Sequence, residues 1–504
     1  MCYNHFDQLM KRIRASFFPP VALDPEAETP LYRQLYDSFR DGILNGRLRP
    51  GQRVPSTRAL AAELGISRIP VLGAFDQLLA EGYLQTFTGS GTVVARSIPE
   101  DSIQFRKSGS PQLARPRGAR RISRSGRKLL ATPPAPWFTH LGAFRVSLPA
   151  LDDFPVDIWA KLLARHARRP LKKEMAYSTP LGYFPLRQAI AEYLATVRAV
   201  HCDPKQVMIT TGSQQALQLS ARVLLDPGDS VWMEDPGYPG AHQALTTFGA
   251  SLVPVPVDAE GLKVEEGIRR SPNARAVYIT PSHQYPLGMT MSAARRMRLL
   301  DWATRTGSWI LEDDYDSEYR FGSRPVASLQ GLDTDARVVY IGTFSKVLFP
   351  ALRLGYAILP EDLVPAFAAA RDASDIFSST LYQLVLLDFI REGHFARHIR
   401  RMRMLYMERR AVLVKAIEEH LGREFSIMSA EAGMHLVVLF PQGIEDVAVA
   451  TRAARDGIAA MPLSLCYLRR PAKHGLILGY GVTDKRDIQE GMKKLAAMIR
   501  TGRQ

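Results

Sequence analysis

Thr343-Phe344-Ser345-Lys346-Val347-Leu348-Phe349-Pro350-Ala351-Leu352-Arg353-Leu354-Gly355-Tyr356 sets a lysine among small hydroxyl residues, with an arginine seven positions later in an otherwise apolar run. A lysine there is poorly placed as a solubility charge. In a dry pocket flanked by cations its pKa falls, and a neutral amine forms an imine with an aldehyde. Arg353 and the hydroxyls of Thr343 and Ser345 suit a phosphate. Aldehyde plus phosphate describes pyridoxal phosphate.

Outward from this stretch, Val207-Met208-Ile209-Thr210-Thr211, Ser230-Val231-Trp232-Met233, Ala276-Val277-Tyr278-Ile279-Thr280, Trp309-Ile310-Leu311 and Val338-Val339-Tyr340-Ile341 are short runs rich in β-branched residues. Helix-length stretches separate them, which predicts an α/β domain with a mostly parallel sheet covered on both faces. Active-site residues in such sheets gather at strand C-termini, and the candidates fall there. Gly212-Ser213-Gln214 follows the first strand and opens a helix, where backbone N–H groups cradle an anion. Tyr238, in the turn after the second strand, can stack on a flat ring. The turn Pro281–Gly288 is lined with donors, among them His283. Asp313 follows a buried strand, where an acid is costly without a partner, and a protonated pyridine nitrogen is such a partner.

At 504 residues the chain has room for more than one domain, and 46% apolar with 23% charged residues is the balance of a soluble globular protein. Cys2, Cys202 and Cys466 have no paired metal-ligand spacing, so neither a disulfide framework nor a metal site is indicated, and a reducing cytoplasm fits. The apolar run Phe17–Leu23 is short and holds Pro19 and Pro20, a poor signal peptide, and no apolar segment reaches the ~20 residues of a membrane span. Net charge is +15, of which +9 falls in the first 140 residues. Charge gathered at one end favours a polyanion there.

Residues 1–29 read as an extension. Leu31, Leu35, Phe39 and Ile43 then recur at helical spacing, Ser56 and Ser67 are N-caps of two helices joined by a turn at Gly65, and Tyr83–Thr86 with Thr92–Ala95 make a small hairpin. Helix, helix-turn-helix and hairpin form a winged helix-turn-helix over residues 30–96. Leu31-Tyr32-Arg33-Gln34-Leu35-Tyr36, Gly51-Gln52-Arg53-Val54-Pro55-Ser56-Thr57-Arg58-Ala59-Leu60-Ala61, Leu64-Gly65-Ile66-Ser67-Arg68 and Glu81-Gly82-Tyr83-Leu84 resemble the GntR-type DNA-binding domain. That resemblance implies that Ser56, Arg58, Ser67 and Arg68 meet phosphates and base edges, with Gly89 and Ser90 on the wing. Pro70 departs from the family, which commonly has a Thr there; the first helical turn tolerates it, but a hydroxyl donor is lost. Residues 97–140 read as a basic flexible linker, either a spacer or a supplementary DNA contact.

Residues 141–504 resemble fold-type I aminotransferases, and the whole chain resembles the MocR/GabR family of regulators, in which a GntR-type domain is joined to an aminotransferase-like domain. The resemblance implies Lys346 as the Schiff-base lysine, Asp313 as partner of the pyridine nitrogen and Tyr315 as donor to the ring hydroxyl. It also implies Gly212, Ser213, Gln214, Thr343, Ser345 and Arg353 around the phosphate, and Tyr238 stacked on the ring. Three departures stand out. Tyr285 occupies the place of the Asn of catalytic aminotransferases, Leu476–Tyr480 lacks the Arg that anchors a substrate carboxylate, and Gly240 stands where a relative carries an Arg. The late arginines, Arg397 to Arg410, read as a solvated or paired helix face. The expected protein is a cytoplasmic, homodimeric DNA-binding regulator that senses an amino compound or pyridoxal phosphate itself. A working aminotransferase with a DNA-binding domain, and a scaffold that binds DNA without the cofactor, are the alternatives.

Overall fold

The computed structural model describes residues 23–87, 91–97, 121–123, 126–127, 130, 142–168, 172, 175–322, 327–428 and 432–501. The chain divides after Arg120 into two compact units.

In the first unit, α1 (Leu31–Leu44), α2 (Thr57–Leu64) and α3 (Arg68–Ala80) precede β1 (Leu84–Phe87) and β2 (Gly91–Val94), which pair antiparallel with Leu84 opposite Val94. The predicted helical stripe is the buried one: Leu35, Phe39 and Ile43 pack with Val71, Phe75 and Leu78, and Phe39 meets Phe75 edge-on at 5.3 Å. Each such side chain removed from water contributes roughly 1.5–3 kcal/mol. Ser56 caps α2 by accepting from the Ala59 N–H at 3.2 Å, and Gly65 ends that helix at φ +67°. Ser67 makes no side-chain cap bond to α3. The reason is local: the third helical position is Pro70, which has no N–H for a cap to satisfy. The wing residues Gly89 and Ser90 lie outside the described residues, as does most of the basic linker.

The second unit is built on an eight-stranded sheet in the order β3-β10-β9-β8-β7-β4-β5-β6. Its strands are β3 (Val207–Thr210), β4 (Ser230–Asp235), β5 (Ser251–Asp258), β6 (Gly261–Leu262), β7 (Ala276–Ile279), β8 (Trp309–Asp314), β9 (Val338–Thr343) and β10 (Gly355–Ile358). The five strands read from sequence are β3, β4, β7, β8 and β9, and the neighbours from β5 through β4, β7 and β8 to β9 run parallel. β10 runs antiparallel between β3 and β9. A second sheet is antiparallel, ordered β11-β12-β14-β13, with β11 (Ser426–Met428), β12 (His435–Leu439), β13 (Met461–Pro462) and β14 (Gly475–Gly479). Among the described residues no helix is long and apolar enough to cross a membrane.

The position of β10 assembles the site. Gly355 pairs with Thr210 on one side and Thr343 on the other. A β-carbon on Gly355 would stand 2.9 Å from the Gly212 Cα, so the glycine permits the close approach. Residues far apart in sequence (Gly212, Thr343 and Arg353) thereby meet at one end of the sheet. The arginine-rich helix His394–His420 spends its cations on its own unit: Arg403 donates to the Glu318 carbonyl at 2.8 Å, and Arg409 pairs with Asp153 at 3.3 Å.

Candidate cofactor site and nucleic-acid interface

A cavity of about 150 Å³ opens at the strand ends of the large sheet, and Gly212, Ser213, Gln214, Tyr238, Asp313, Tyr315, Thr343, Ser345, Lys346 and Arg353 line it. Ten of the eleven sequence-predicted residues therefore converge. His283 is the exception, one layer back, with its Nδ1 3.0 Å from the Tyr315 hydroxyl.

Three consecutive acids, Glu312, Asp313 and Asp314, lie within β8 rather than after it, all buried. Each has found a different partner, which makes the burial tolerable. Glu312 accepts the backbone N–H groups of Leu329 and Gln330 at 2.9 and 3.0 Å. Asp314 pairs with Arg198 at 2.7 Å and accepts the Tyr340 hydroxyl at 2.6 Å. Asp313 accepts the Tyr278 hydroxyl on Oδ2 at 2.8 Å, while its Oδ1 is buried with no hydrogen-bond partner. Burial holds the Asp313 carboxyl up at about 7, and the charge of Asp314 adds to the rise. An acid so placed has one oxygen free to accept a hydrogen bond.

Lys346 is half-buried, and its Nζ donates to the Ser147 carbonyl at 3.0 Å. Burial lowers its pKa to about 8; Asp316 and Asp313 oppose the drop, and Arg145 and Arg353 add to it. At the other end of the cavity, Gly212 has φ +117° and begins the helix Ser213–Leu224. A β-carbon on it would stand 3.4 Å from the Arg353 guanidinium, so helix N-terminus, arginine and the Thr343–Ser345 turn close around one anion-sized place. The Gln214 side chain is committed elsewhere, donating to the Gly240 carbonyl at 3.0 Å. Its backbone N–H is what it brings to the cradle.

A β-carbon at Gly240 would lie 2.5 Å from Tyr238 Cζ and 2.6 Å from Gln214 Nε2, so a larger residue there requires those two side-chain ends to move. Gly479 is closed, because a β-carbon would collide with the Arg145 carbonyl. Within the stretch Leu476–Tyr480 the one glycine is thus closed by backbone, whereas Gly240 is bordered by the ends of two side chains. Tyr238 stands edge-on to Tyr285 at 5.4 Å, and burial pushes its hydroxyl up to about 12. Ser147, Tyr278, Thr280, Tyr285 and Pro350 also line the cavity. Of these, Thr280 stands at the end of a strand legible in the sequence and Tyr278 within that strand.

In the first unit Ser56, Arg58, Ser67 and Arg68 are exposed around α2 and the start of α3. Arg68 Nε donates to Thr57 Oγ1 at 3.1 Å, which tethers its stem. Ile69 beside it is 78% exposed. An isoleucine so bare on a helix of this unit is a contact candidate that helical periodicity does not single out.

The chain matches two family descriptions: bacterial regulatory proteins of the gntR family over residues 31–94, and aminotransferase class I and II over residues 150–474. It is 43% identical over 475 residues to the probable rhizopine catabolism regulatory protein MocR of Rhizobium meliloti, covering 94% of this chain and 95% of that one. The pyridoxine biosynthesis transcriptional regulator PdxR of Corynebacterium glutamicum is 29% identical, covering 96% and 99%. Among solved structures, kynurenine aminotransferase of Pyrococcus horikoshii, described in complex with PMP, superposes with TM-score 0.68 at 31% identity, covering 76% and 95%.

Proposed function

Because the chain belongs to the MocR/GabR family of GntR-type transcriptional regulators carrying an aminotransferase domain, we propose that pyridoxal phosphate is held on Lys346 and that an amino compound, or the cofactor itself, thereby governs operator binding. The cofactor supplies an aldehyde that an amine captures and a ring that withdraws electrons. The observation that carries this reading is the buried, unpartnered Oδ1 of Asp313 in the wall of the cavity that also contains Lys346. A carboxylate in that state fits a ring N–H⁺ and no neutral apolar ligand.

This chain's residues then divide the work. Lys346, at about 8, is about one-tenth neutral at pH 7, where an ordinary lysine is neutral to roughly one part in a few thousand. Arg353, Ser213, Thr343, Ser345 and the backbone at Gly212 and Gln214 hold the phosphate. Tyr238 covers one face of the ring, and Tyr315 donates to the ring oxygen.

DNA is bound by the first unit, with Arg58 and Arg68 on the phosphates and base edges and Ile69 against thymine methyl groups. A homodimer would set two such units on an operator of two half-sites. Arg68→Ala is expected to weaken operator binding by about tenfold and to flatten its salt dependence by about one phosphate contact, measured by fluorescence anisotropy across salt concentrations. An unchanged affinity and slope would remove Arg68 from the interface.

The direct test is a visible spectrum of the full-length protein with pyridoxal phosphate, beside Lys346→Ala. A band near ~410–430 nm that the variant lacks is the expected result. Operator affinity of the variant should no longer respond to added amine. No band at saturating cofactor would sink the proposal. Repeated turnover of an amino donor with a 2-oxo acid would favour a working aminotransferase, as the 32% identity to 2-aminoadipate transaminase of Thermus thermophilus over 363 residues makes worth measuring.

A further inference from the structure

Tyr315, half-buried in the cavity wall, leads back to the buried His283 and Asp316. The Tyr315 hydroxyl lies 3.0 Å from His283 Nδ1, and that same nitrogen lies 2.9 and 3.1 Å from the two oxygens of Asp316. His283 is 3% exposed and Asp316 1%. One ring nitrogen thus faces two oxygen partners, and it offers either a proton or a lone pair. The near-equal approach of both carboxylate oxygens fits an N–H shared between them, and a buried carboxylate without a donor is costly. Nδ1 therefore carries the proton. The Tyr315 hydroxyl cannot donate to a nitrogen that is itself a donor; its oxygen accepts on that side, and its own proton is directed away, toward the cavity.

We propose that Asp316 and His283 are positioning residues that fix Tyr315 as a hydrogen-bond donor into the pocket and so tune the proton affinity of the bound cofactor. The inference rests on the reading that Lys346 and Tyr315 face the cofactor ring. An independent feature shows the pair to be built in. Gly433, at φ +80°, packs directly on it: a β-carbon there would collide with His283 Cε1 and stand 2.8 Å from Asp316 Oδ2. Other groups facing the pair are the His435 ring, 5.3 Å from His283, and Lys346, Arg320 and Tyr480, all in electrostatic contact with Asp316.

The consequence has a sign. A donor to the ring oxygen favours the form with more negative charge there, which is the form that has lost a proton. Losing the donor raises the apparent pKa of the visible band. In the full-length, cofactor-loaded protein, absorbance is titrated against pH for the wild type, Tyr315→Phe, Asp316→Asn and the double variant. Tyr315→Phe is expected to raise the transition by about one pH unit.

Asp316→Asn has two effects. Removing its charge acts directly and appears whether or not the tyrosine hydroxyl is present. Releasing the His283 tautomer, because an amide can donate to a bare Nδ1, acts only where the Tyr315 hydroxyl exists. The Asp316→Asn shift should therefore lie higher in the wild-type background than in the Tyr315→Phe background, by about half a unit or more. Equal shifts in the two backgrounds would overturn the proposal. Should Asp316→Asn fail to fold, the wild type labelled with 15N in its histidine rings decides: the signal lost in His283→Gln must report a protonated Nδ1, and a bare one overturns the proposal. Absence of any visible band in the wild type would instead overturn the site reading and this inference with it.

Discussion

Asp313→Asn is expected to stabilise the cofactor-free protein at pH 8 while weakening its hold on pyridoxal phosphate by one to two orders of magnitude. The two effects have one cause. Asp313 is fully buried, and its carboxyl is held at about 7 chiefly by loss of water. A carboxyl whose folded pKa is raised contributes stability that is complete below its unfolded value near 4. That contribution is lost as pH climbs through about 7. Above pH 7 the empty site therefore carries an unfavourable charge, on the order of 4 kcal/mol for a shift of this size. The amide keeps the 2.8 Å bond from Tyr278 and removes the charge. Thermal melts of the two cofactor-free proteins should diverge between pH 5 and 8, the wild type falling more steeply than the variant, in which Glu234 and Glu318 still titrate in that range. Cofactor titration should show the reverse preference, since a charge-assisted bond of about 1.5–3 kcal/mol is lost. A variant that gains no stability, or that binds cofactor as tightly as the wild type, would contradict a carboxylate held in reserve for a ring cation.

That tension explains what was legible in the sequence. An acid at the end of a buried strand and a lysine in an apolar turn violate the local rules for burial, and such violations mark function. Lys346, Asp313 and Arg353 could be found that way. The five parallel-type strands were also legible, because their β-branched runs are bounded by turns. β10 was not, since its residues continue the apolar run that begins after Lys346, and only pairing on both sides makes Gly355–Ile358 a strand. The small antiparallel sheet went unread for a similar reason.

Ser147 shows the limit most clearly. It meets Lys346 across 199 positions of sequence, and no periodicity encodes such a contact. His283 was placed at the cofactor because its turn is full of donors, yet side-chain direction put it behind Tyr315. For Gln214 the helix-start signal was right about the backbone and silent about the side chain, which Gly240 claims.

Arg198→Ala is expected to cost about 3–5 kcal/mol of stability, and it should also weaken cofactor binding although Arg198 lines no part of the cavity. Arg198 ends the helix Phe184–Arg198 and pairs at 2.7 Å with Asp314; side-chain exposures of 5% and 3% place both ions out of water. Its guanidinium also meets the Ser282 hydroxyl, one residue before His283. Removing the arginine leaves Asp314 buried with the Tyr340 hydroxyl donating to it but without its ion-pair partner, and a buried charge stripped of its direct partner is what makes one-sided removal so costly. The unpaired Asp314 then presses harder on its neighbour, because the Asp314 charge already helps hold the Asp313 carboxyl up. More of Asp313 is protonated at neutral pH, and the ring cation loses its counter-ion. Urea denaturation measures the first effect and cofactor titration the second. Pairing Arg198→Met with Asp314→Leu separates them from simple misfolding: with neither charge present, stability should recover most of the loss and cofactor affinity should return toward the wild type. If the double variant remains as weak as Arg198→Ala, the arginine acts through its contact with Ser282 rather than through the charge of Asp314.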